Sequence, residues 1–282
     1  MIGVDLHTHS NISDGSYSPE MLLHAAAEKG IHTFALTDHD TMDGLDRAQV
    51  IADEHGIRLI PGVEISSQWS RPSTRKSYAL HIVALNMQQP AVLQALLLQQ
   101  QKIRAQRAQQ ICDLLLNCIG QDIYPDVLAQ VEGHPDRITR SHIAKTLQQR
   151  GVVNRTQQAF DQYLKEGKKA YVKFDGPTLA ETIEIIHASQ GVAVLAHPTR
   201  YGLSATNVRF LIEIFAQSGG DAVELPARSE PLSTRQMVDR MIAQHGLKVS
   251  VGSDFHGDYM PWIQLGQIPE VKPGQVGIWE SF

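Results

Sequence analysis

The sequence predicts an α/β protein, a parallel sheet of about seven strands that is most simply a (β/α) barrel, carrying an inserted helical domain. Three observations predict it. Short apolar runs alternate with helical patterns at both ends of the chain, and parallel strands need such crossovers. Between about residues 90 and 169 that rhythm stops, and a Gln-, Leu- and Ala-rich stretch carries almost no β-like run. At 282 residues the chain is long enough for one large α/β domain plus an insert. An open, doubly wound sheet is the competing arrangement.

The elements follow in order. Residues 3–6 are a short apolar strand. Ser18, Pro19 and Glu20 supply an N-cap, a proline at the first helical position and an early acid, and Gly30 closes that helix. Residues 33–37 read as a second buried strand. A helix over about 43–55 stops at Gly56 and leads into a third strand at 57–60. Residues 78–85 make a fourth, after a polar loop at 71–77. In the second half, Thr178 and Glu181 form a capping box for a helix that ends before Gly191. Strands at 192–196, 221–225 and 248–251 then alternate with helices near 205–218 and 231–245. The expected organisation is a first barrel part at 1–89, a helical substrate-capping insert at 90–169, and a second barrel part at 170–282.

Composition narrows the function. Hydrophobic residues are 42% and charged residues 20%, enough for a packed core and not a globally disordered chain. A net charge of −5 excludes a protein that coats nucleic acid through general basicity, but not a local basic face. Within 90–169 there are 11 Lys/Arg against 7 Asp/Glu, which leaves 14 against 23 in the remainder. A basic insert beside an acidic core suggests an anionic ligand held between them. Cys112 and Cys118 are too few for a disulfide scaffold and read as buried free thiols of a reducing compartment. With no basic-then-apolar leader and no apolar run near the ~20 residues that span a bilayer, a soluble cytoplasmic protein without membrane partners is expected.

The 13 histidines are the strongest signal. His7-Thr8-His9 follows the first strand, and in extended chain residues i and i+2 project to one side and can share an ion. Asp254-Phe255-His256 repeats that geometry after the last strand. Asp14 lies in a Gly-bearing loop, Asp38-His39-Asp40 follow the second strand, and Glu64 the third. His81 lies in the fourth strand, and His197 follows the fifth. Barrel enzymes build their sites at such strand ends. A lone His-x-His is weak evidence, but six histidines and three carboxylates at strand ends call for a cation, because a buried carboxylate is costly unless paired or coordinated. Asp38 and Asp40 read as carboxylates that orient the histidines. Glu224, also near a strand end, stays open. His24, His55, His187 and His245 in helices, and His32 at a strand entry, read as ordinary hydrogen-bonded core residues.

These segments together resemble the PHP (polymerase and histidinol phosphatase) family. The segments are His7-Thr8-His9-Ser10, Asp14-Gly15, Thr37-Asp38-His39-Asp40, Pro61-Gly62-Val63-Glu64, His81, Ala196-His197-Pro198 and Gly252-Ser253-Asp254-Phe255-His256. The insert, with Arg140-Ser141-His142-Ile143-Ala144 and His197-Pro198-Thr199-Arg200-Tyr201, looks like the TrpH branch of that family. Its members include a 5′-3′ exoribonuclease and a 3′,5′-nucleotide bisphosphatase. The resemblance implies a distorted (β/α)7 barrel and up to three divalent ions. The first would use His7, His9, Glu64 and Asp254; the second Glu64, His81 and His197; the third Asp14, His39 and His256. Some family members carry His where this chain has Asp14, and the harder carboxylate suits Mn²⁺ or Mg²⁺ somewhat better than Zn²⁺, so Mn²⁺ is the first expectation, with Mg²⁺, Fe²⁺ or Zn²⁺ as the alternatives.

Clustered divalent ions suit hydrolysis of a phosphate ester by water. No Ser-His-Asp set, nucleophilic cysteine, glycine-rich phosphate loop or Rossmann fingerprint is present in the sequence. Arg140, His142 and Arg200 are the candidate phosphate clamp, with Arg71, Arg75 and Lys76 weaker candidates. The expected substrates are 5′-phosphorylated RNA or short oligonucleotides, cut 5′ to 3′ to nucleoside 5′-monophosphates, and 3′,5′-bisphosphonucleotides, with no obligate protein partner. The alternatives are a small-molecule phosphatase only, of the nucleotide bisphosphatase or histidinol-phosphate type, or a non-catalytic binding module.

Overall fold

The computed structural model describes residues 3–71 and 76–282. The first half holds β1 (Val4–Asp5), α1 (Pro19–Glu28), β2 (Thr33–Leu36), α2 (Leu45–His55), β3 (Arg58–Ser70) and β4 (Ser77–Leu85). The insert holds α3 (Pro90–Ile119), α4 (Tyr124–Gln130), α5 (Arg140–Gln149) and α6 (Thr156–Ala159), which runs into a π turn at Phe160–Leu164. Then come α7 (Leu179–Ala188), β5 (Val192–Leu195), α8 (Ala205–Gln217), β6 (Ala222–Glu224), α9 (Leu232–His245) and β7 (Lys248–Ser250). The expected caps are in place: Ser18 accepts from Met21 N at the start of α1, Gly56 ends α2 in the left-handed region, and Thr178 and Glu181 close a reciprocal capping box on α7.

The seven strands form one sheet in sequence order. β1, β2 and β3 pair in parallel, as do β5, β6 and β7. β4 is antiparallel to both of its neighbours, so the sheet is mixed and not all-parallel as the crossovers suggested. The reason is the connection: only residues 71–76 join β3 to β4, too few for a crossover. β3 also runs on to Ser70, ten residues past its expected end, because Ser66, Ser67 and Gln68 pair along β4 in spite of their polarity. Beyond the outer strands the chain closes on itself. Leu6 N donates to Val251 O at 3.0 Å, Asp254 N to His7 O at 2.8 Å, and His9 N to Phe255 O at 2.9 Å. The curled sheet is therefore sewn shut where the candidate residues gather.

The direction of β4 also places the insert. Because β4 runs backwards, the chain leaves it at the end of the barrel opposite the site. α3, 30 residues and so about 45 Å long, carries it back. Leu93 and Leu97 on its first half pack in the barrel core, while Ala108, Ile111, Cys112 and Leu115 pack in the core of the insert. A boundary at residue 90 thus cuts through a barrel-packed stretch. A third apolar cluster joins α1 and α2 to β2 through Leu22, Phe34, Leu36 and Ala48.

Cys112 is buried but Cys118 is exposed, which corrects the expectation of two buried thiols. Six residues at 100° each place them on different faces of one helix. His24, His32, His55 and His187 are exposed and not core residues; His24 and His55 pair at 2.8 Å, and His187 meets Asp221 at 2.9 Å. Arg75 lies outside the described residues. Among the described residues, no helix is long and apolar enough to cross a membrane.

Candidate metal centre

The nine expected ligands converge on one spot at the mouth of the barrel. β1 ends into His7 and His9, and the loop before α1 brings Asp14. β2 ends into His39, which bridges to Glu64 on the long strand β3. His81 is the middle residue of β4, which brings it to the same face because that strand is antiparallel. His197 follows β5, while Asp254 and His256 follow β7. Gly252 is needed beside them, because a Cβ there would stand 2.2 Å from the Cβ of His7.

Glu64 sits at the centre and is fully buried. Its Oε1 lies 3.2 Å from His7 Nε2, 2.9 Å from His81 Nδ1 and 3.0 Å from His197 Nε2. Its Oε2 lies 3.2 Å from His9 Nε2 and 2.9 Å from His39 Nδ1. Asp254 Oδ1 is 3.6 Å from His7, 3.5 Å from His9 and 3.6 Å from His256. Asp14 Oδ1 is 3.3 Å from His256 and 3.7 Å from His39. Burial alone would raise the carboxyl of Glu64, but the imidazoles of His81, His39 and His7 and the bond to His197 hold it well below the usual range. Asp14 and Asp254 are held low against their burial by neighbouring histidines in the same way.

This donor set fits divalent cations. His7 Nε2, His9 Nε2, Asp14 Oδ1, His39 Nδ1, Glu64 Oε2, His81 Nδ1 and His197 Nδ1 are all buried without a hydrogen-bond partner, and an ion is what such convergent lone pairs match. Among the described residues, four sets have candidate ligand atoms close enough to share an ion. They are His9, Asp14, His39 and His256; His7, His197 and Asp254; His7, His9 and Glu64; and His39, Glu64 and His81. This grouping differs from the one the resemblance implied: His9 also falls with Asp14, and His197 with His7. Backbone strain gathers here too. His197, Asp254 and Asp40 have φ of 27°, 56° and 53°, a region costly for side chains other than glycine.

Around the ligands, several assignments change. Glu224, left open by the sequence, accepts from His7 Nδ1 at 2.6 Å and is 3% exposed, the carboxylate partner that fixes the imidazole. Asp38 makes no direct bond to an imidazole among the described residues, although Ser13 Oγ, which donates to it, stands 3.5 Å from His9 Nδ1. Its carboxylate accepts from Ser10 N, Ser10 Oγ and Ser13 Oγ, holding the loop that carries Asp14. Asp40 does not orient a histidine either: it binds Ser66 N and Oγ on β3 and pairs with Arg104. Tyr201, which the sequence did not single out as a site residue, accepts from His81 N at 2.9 Å and donates to Ala196 O at 2.8 Å.

The phosphate candidates divide. Arg140 lines a pocket beside Asp14, His39 and His81, its guanidinium 5.8 Å from the Phe160 ring centre. Two arginines that the sequence did not single out join it from α3. Arg104 reaches Ser66 Oγ at 3.1 Å, and Arg107 Nε donates to Val172 O at 3.0 Å. Burial and the neighbouring charges of Arg140 and Arg104 push Arg107 down. Among the described residues no carboxylate pairs with Arg107 or Arg140. His142 is spent elsewhere: its Nδ1 accepts from Thr139 N at 3.0 Å and caps α5. Arg200 Nη1 is bound to Asp254 Oδ2 at 2.6 Å and stands outside that pocket. Of the weaker candidates, Arg71 Nη1 donates to Asn207 at 2.6 Å, and Lys76 lies 3.6 Å from Glu166.

Comparison with known proteins gives the same direction. The PHP domain profile matches residues 5–172. The chain is 40% identical to a 5′-3′ exoribonuclease of Haemophilus influenzae, over 99% of this chain and 98% of that protein. It is 33% identical to a 3′,5′-nucleoside bisphosphate phosphatase of Chromobacterium violaceum, over 100% and 96%. A solved structure described as an amidohydrolase from Chromobacterium violaceum, with bound sulfate and no metal, superposes with a TM-score of 0.89 at 31% identity. It covers 99% of this chain and 95% of that one.

Proposed function

Because this chain belongs to the PHP domain family, we propose that it is a metal-dependent phosphoesterase acting on 5′-phosphorylated nucleotides. It works as a 5′-3′ exoribonuclease that releases nucleoside 5′-monophosphates, and it also removes the 3′ phosphate of 3′,5′-bisphosphonucleotides. The observation that carries the reading is the pocket in which Arg104, Arg107 and Arg140 stand beside the ligand cluster. A terminal 5′ phosphate on those guanidiniums leaves the next phosphorus at the ligands. Both activities are then one reaction: water oxygen bonds to that phosphorus, the P–O3′ bond breaks, and the 3′ oxygen leaves with a proton. On RNA the remaining strand keeps a new 5′ phosphate, which resets the substrate.

The residues have separate tasks. His7, His9, Asp14, His39, Glu64, His81, His197, Asp254 and His256 hold up to three ions, with Mn²⁺ favoured by the carboxylate at Asp14. Bound divalent cations supply Lewis acidity toward the phosphoryl oxygens and toward water. Glu224 keeps His7 in one tautomer, and Asp40 holds Arg104 toward the pocket. The pocket is about 180 Å³, below the usual size for a whole small-molecule ligand, so it takes the terminal 5′ phosphate while the rest of either substrate lies over the candidate ligands. Helices α3 and α5 wall it, so the insert caps the substrate. The free thiols suit a cytoplasmic setting.

The test compares a 3′,5′-bisphosphorylated nucleoside with a short 5′-phosphorylated RNA oligomer, both with Mn²⁺ added. Turnover of both supports the reading. Turnover of the nucleoside alone reduces it to a small-nucleotide phosphatase, and turnover of neither overturns it.

A further inference from the structure

The mouth of the barrel carries a second hollow, on the flank away from the insert. It is about 540 Å³, within the range of ligand sites, and is lined by Arg200, Arg228, Glu230, Ser253, Trp262 and Gln267 among others. These residues lie in the loops that follow β5, β6 and β7, whereas the arginine pocket faces β2 to β4 and the insert. The ligand cluster therefore stands between the two hollows. Arg200 links the second hollow to the cluster, since it lines that hollow and is bound to Asp254 Oδ2.

The chemistry of this hollow is unlike an ordinary surface dimple. Trp262 is 72% exposed, the most exposed of the large hydrophobic side chains among the described residues, and offers an open indole face. Arg228 is exposed, and among the described residues no carboxylate pairs with it. The acid of the hollow is already engaged: Glu230 Oε1 accepts from Thr199 Oγ1 at 2.9 Å and from Ala227 N at 3.3 Å. An open aromatic face beside a guanidinium that no described carboxylate pairs matches a single-stranded nucleotide, with its base stacked and its phosphate paired.

We propose that Trp262 and Arg228 form a track for the RNA strand 3′ of the scissile phosphate, with a base stacked on Trp262 and a downstream phosphate on Arg228. The inference rests on the exoribonuclease reading and deepens it. A 5′ end anchored by Arg104, Arg107 and Arg140 sends the rest of the strand across the ligand cluster, and the flank it meets is this one. A 3′,5′-bisphosphonucleotide ends at the cluster and never reaches Trp262.

The experiment measures kcat/KM for Trp262→Ala, Trp262→Phe and Arg228→Gln on two substrates, a 5′-phosphorylated RNA oligomer of several nucleotides and a 3′,5′-bisphosphorylated nucleoside. Loss of one stacking contact corresponds to about tenfold on the oligomer, carried mainly by KM. Trp262→Phe restores most of it, and Arg228→Gln flattens the salt dependence. All three variants keep the wild-type rate on the nucleoside. Equal losses on both substrates, or no loss on the oligomer, overturn the track while leaving the exoribonuclease reading intact. Wild-type protein that turns over the nucleoside and no oligomer overturns the exoribonuclease reading, and the track with it.

Discussion

Removal of Glu224 tests whether the ligand cluster depends on its supporting carboxylate. His7 Nδ1 lies 2.6 Å from Glu224 Oε2 in a site where both residues are almost fully buried, so the bond is shielded from solvent. A hydrogen bond to a charged group contributes about 1.5–3 kcal/mol. At about 1.4 kcal/mol per tenfold, that is roughly 10–150-fold in an equilibrium constant. The range agrees with the 10–100-fold usually lost when the partner of a metal-binding histidine is removed. Glu224→Ala should therefore weaken Mn²⁺ binding by about one to two orders of magnitude. Glu224→Gln, which keeps an oxygen acceptor without the charge, should fall between Ala and wild type. Calorimetric titration of metal-stripped protein gives the affinities, and far-UV circular dichroism confirms that each variant is folded. Metal affinity in Glu224→Ala equal to wild type would refute the argument.

Three further predictions concern the insert. Arg140→Ala should lower kcat/KM on 5′-phosphorylated substrates by about 1.5–3 kcal/mol, the size of a lost charge-assisted bond, and barely change hydrolysis of an aryl phosphate. Equal damage to both would make Arg140 structural. His142 titrates below the usual histidine range, chiefly because of burial, so the unfolded chain takes up that proton first. Its stabilising contribution is present above about pH 6.5 and is lost as pH falls below it, so His142→Gln should show a shallower fall of Tm between pH 7 and pH 5 than wild type; parallel curves would contradict the cap. Finally, a thiol reagent should modify one cysteine in the native protein, Cys118. Cys112 is buried and its thiol is pushed up to about 12, so it should react only on unfolding, and two fast native thiols would show that the core of the insert is open.

Most of the candidate ligands were legible because they stand within or close behind an apolar run, Asp14 in its loop excepted, and because paired types recur at strand ends: His7 with His9, Asp254 with His256. The supporting contacts were not. Glu224 looks in sequence like any acid at a strand end, and only the curl of the sheet brings it 217 residues along the chain to His7. Arg104 and Arg107 lie three apart on a Gln-rich helix, a pattern that a solvated face shares; the excess of cations over acids in the insert was the one available hint. The antiparallel course of β4 was hidden because Ser66-Ser67-Gln68 reads as the end of a strand. His142 looked like a phosphate ligand, but the residue three places after Thr139 is also where a helix cap needs an acceptor, and the local bond prevailed.

One measurement bears most directly on the central claim, that an anchored 5′ phosphate presents the next phosphorus to the ligand cluster. A single RNA sequence is prepared with a 5′ monophosphate, a 5′ triphosphate or a 5′ hydroxyl, incubated with the Mn²⁺-loaded protein, and resolved by length over time. The account predicts rapid shortening of the monophosphate form from its 5′ end, one nucleoside 5′-monophosphate at a time, with the other two forms slow. Fast decay of the 5′-hydroxyl form, or loss of nucleotides from the 3′ end first, would contradict it.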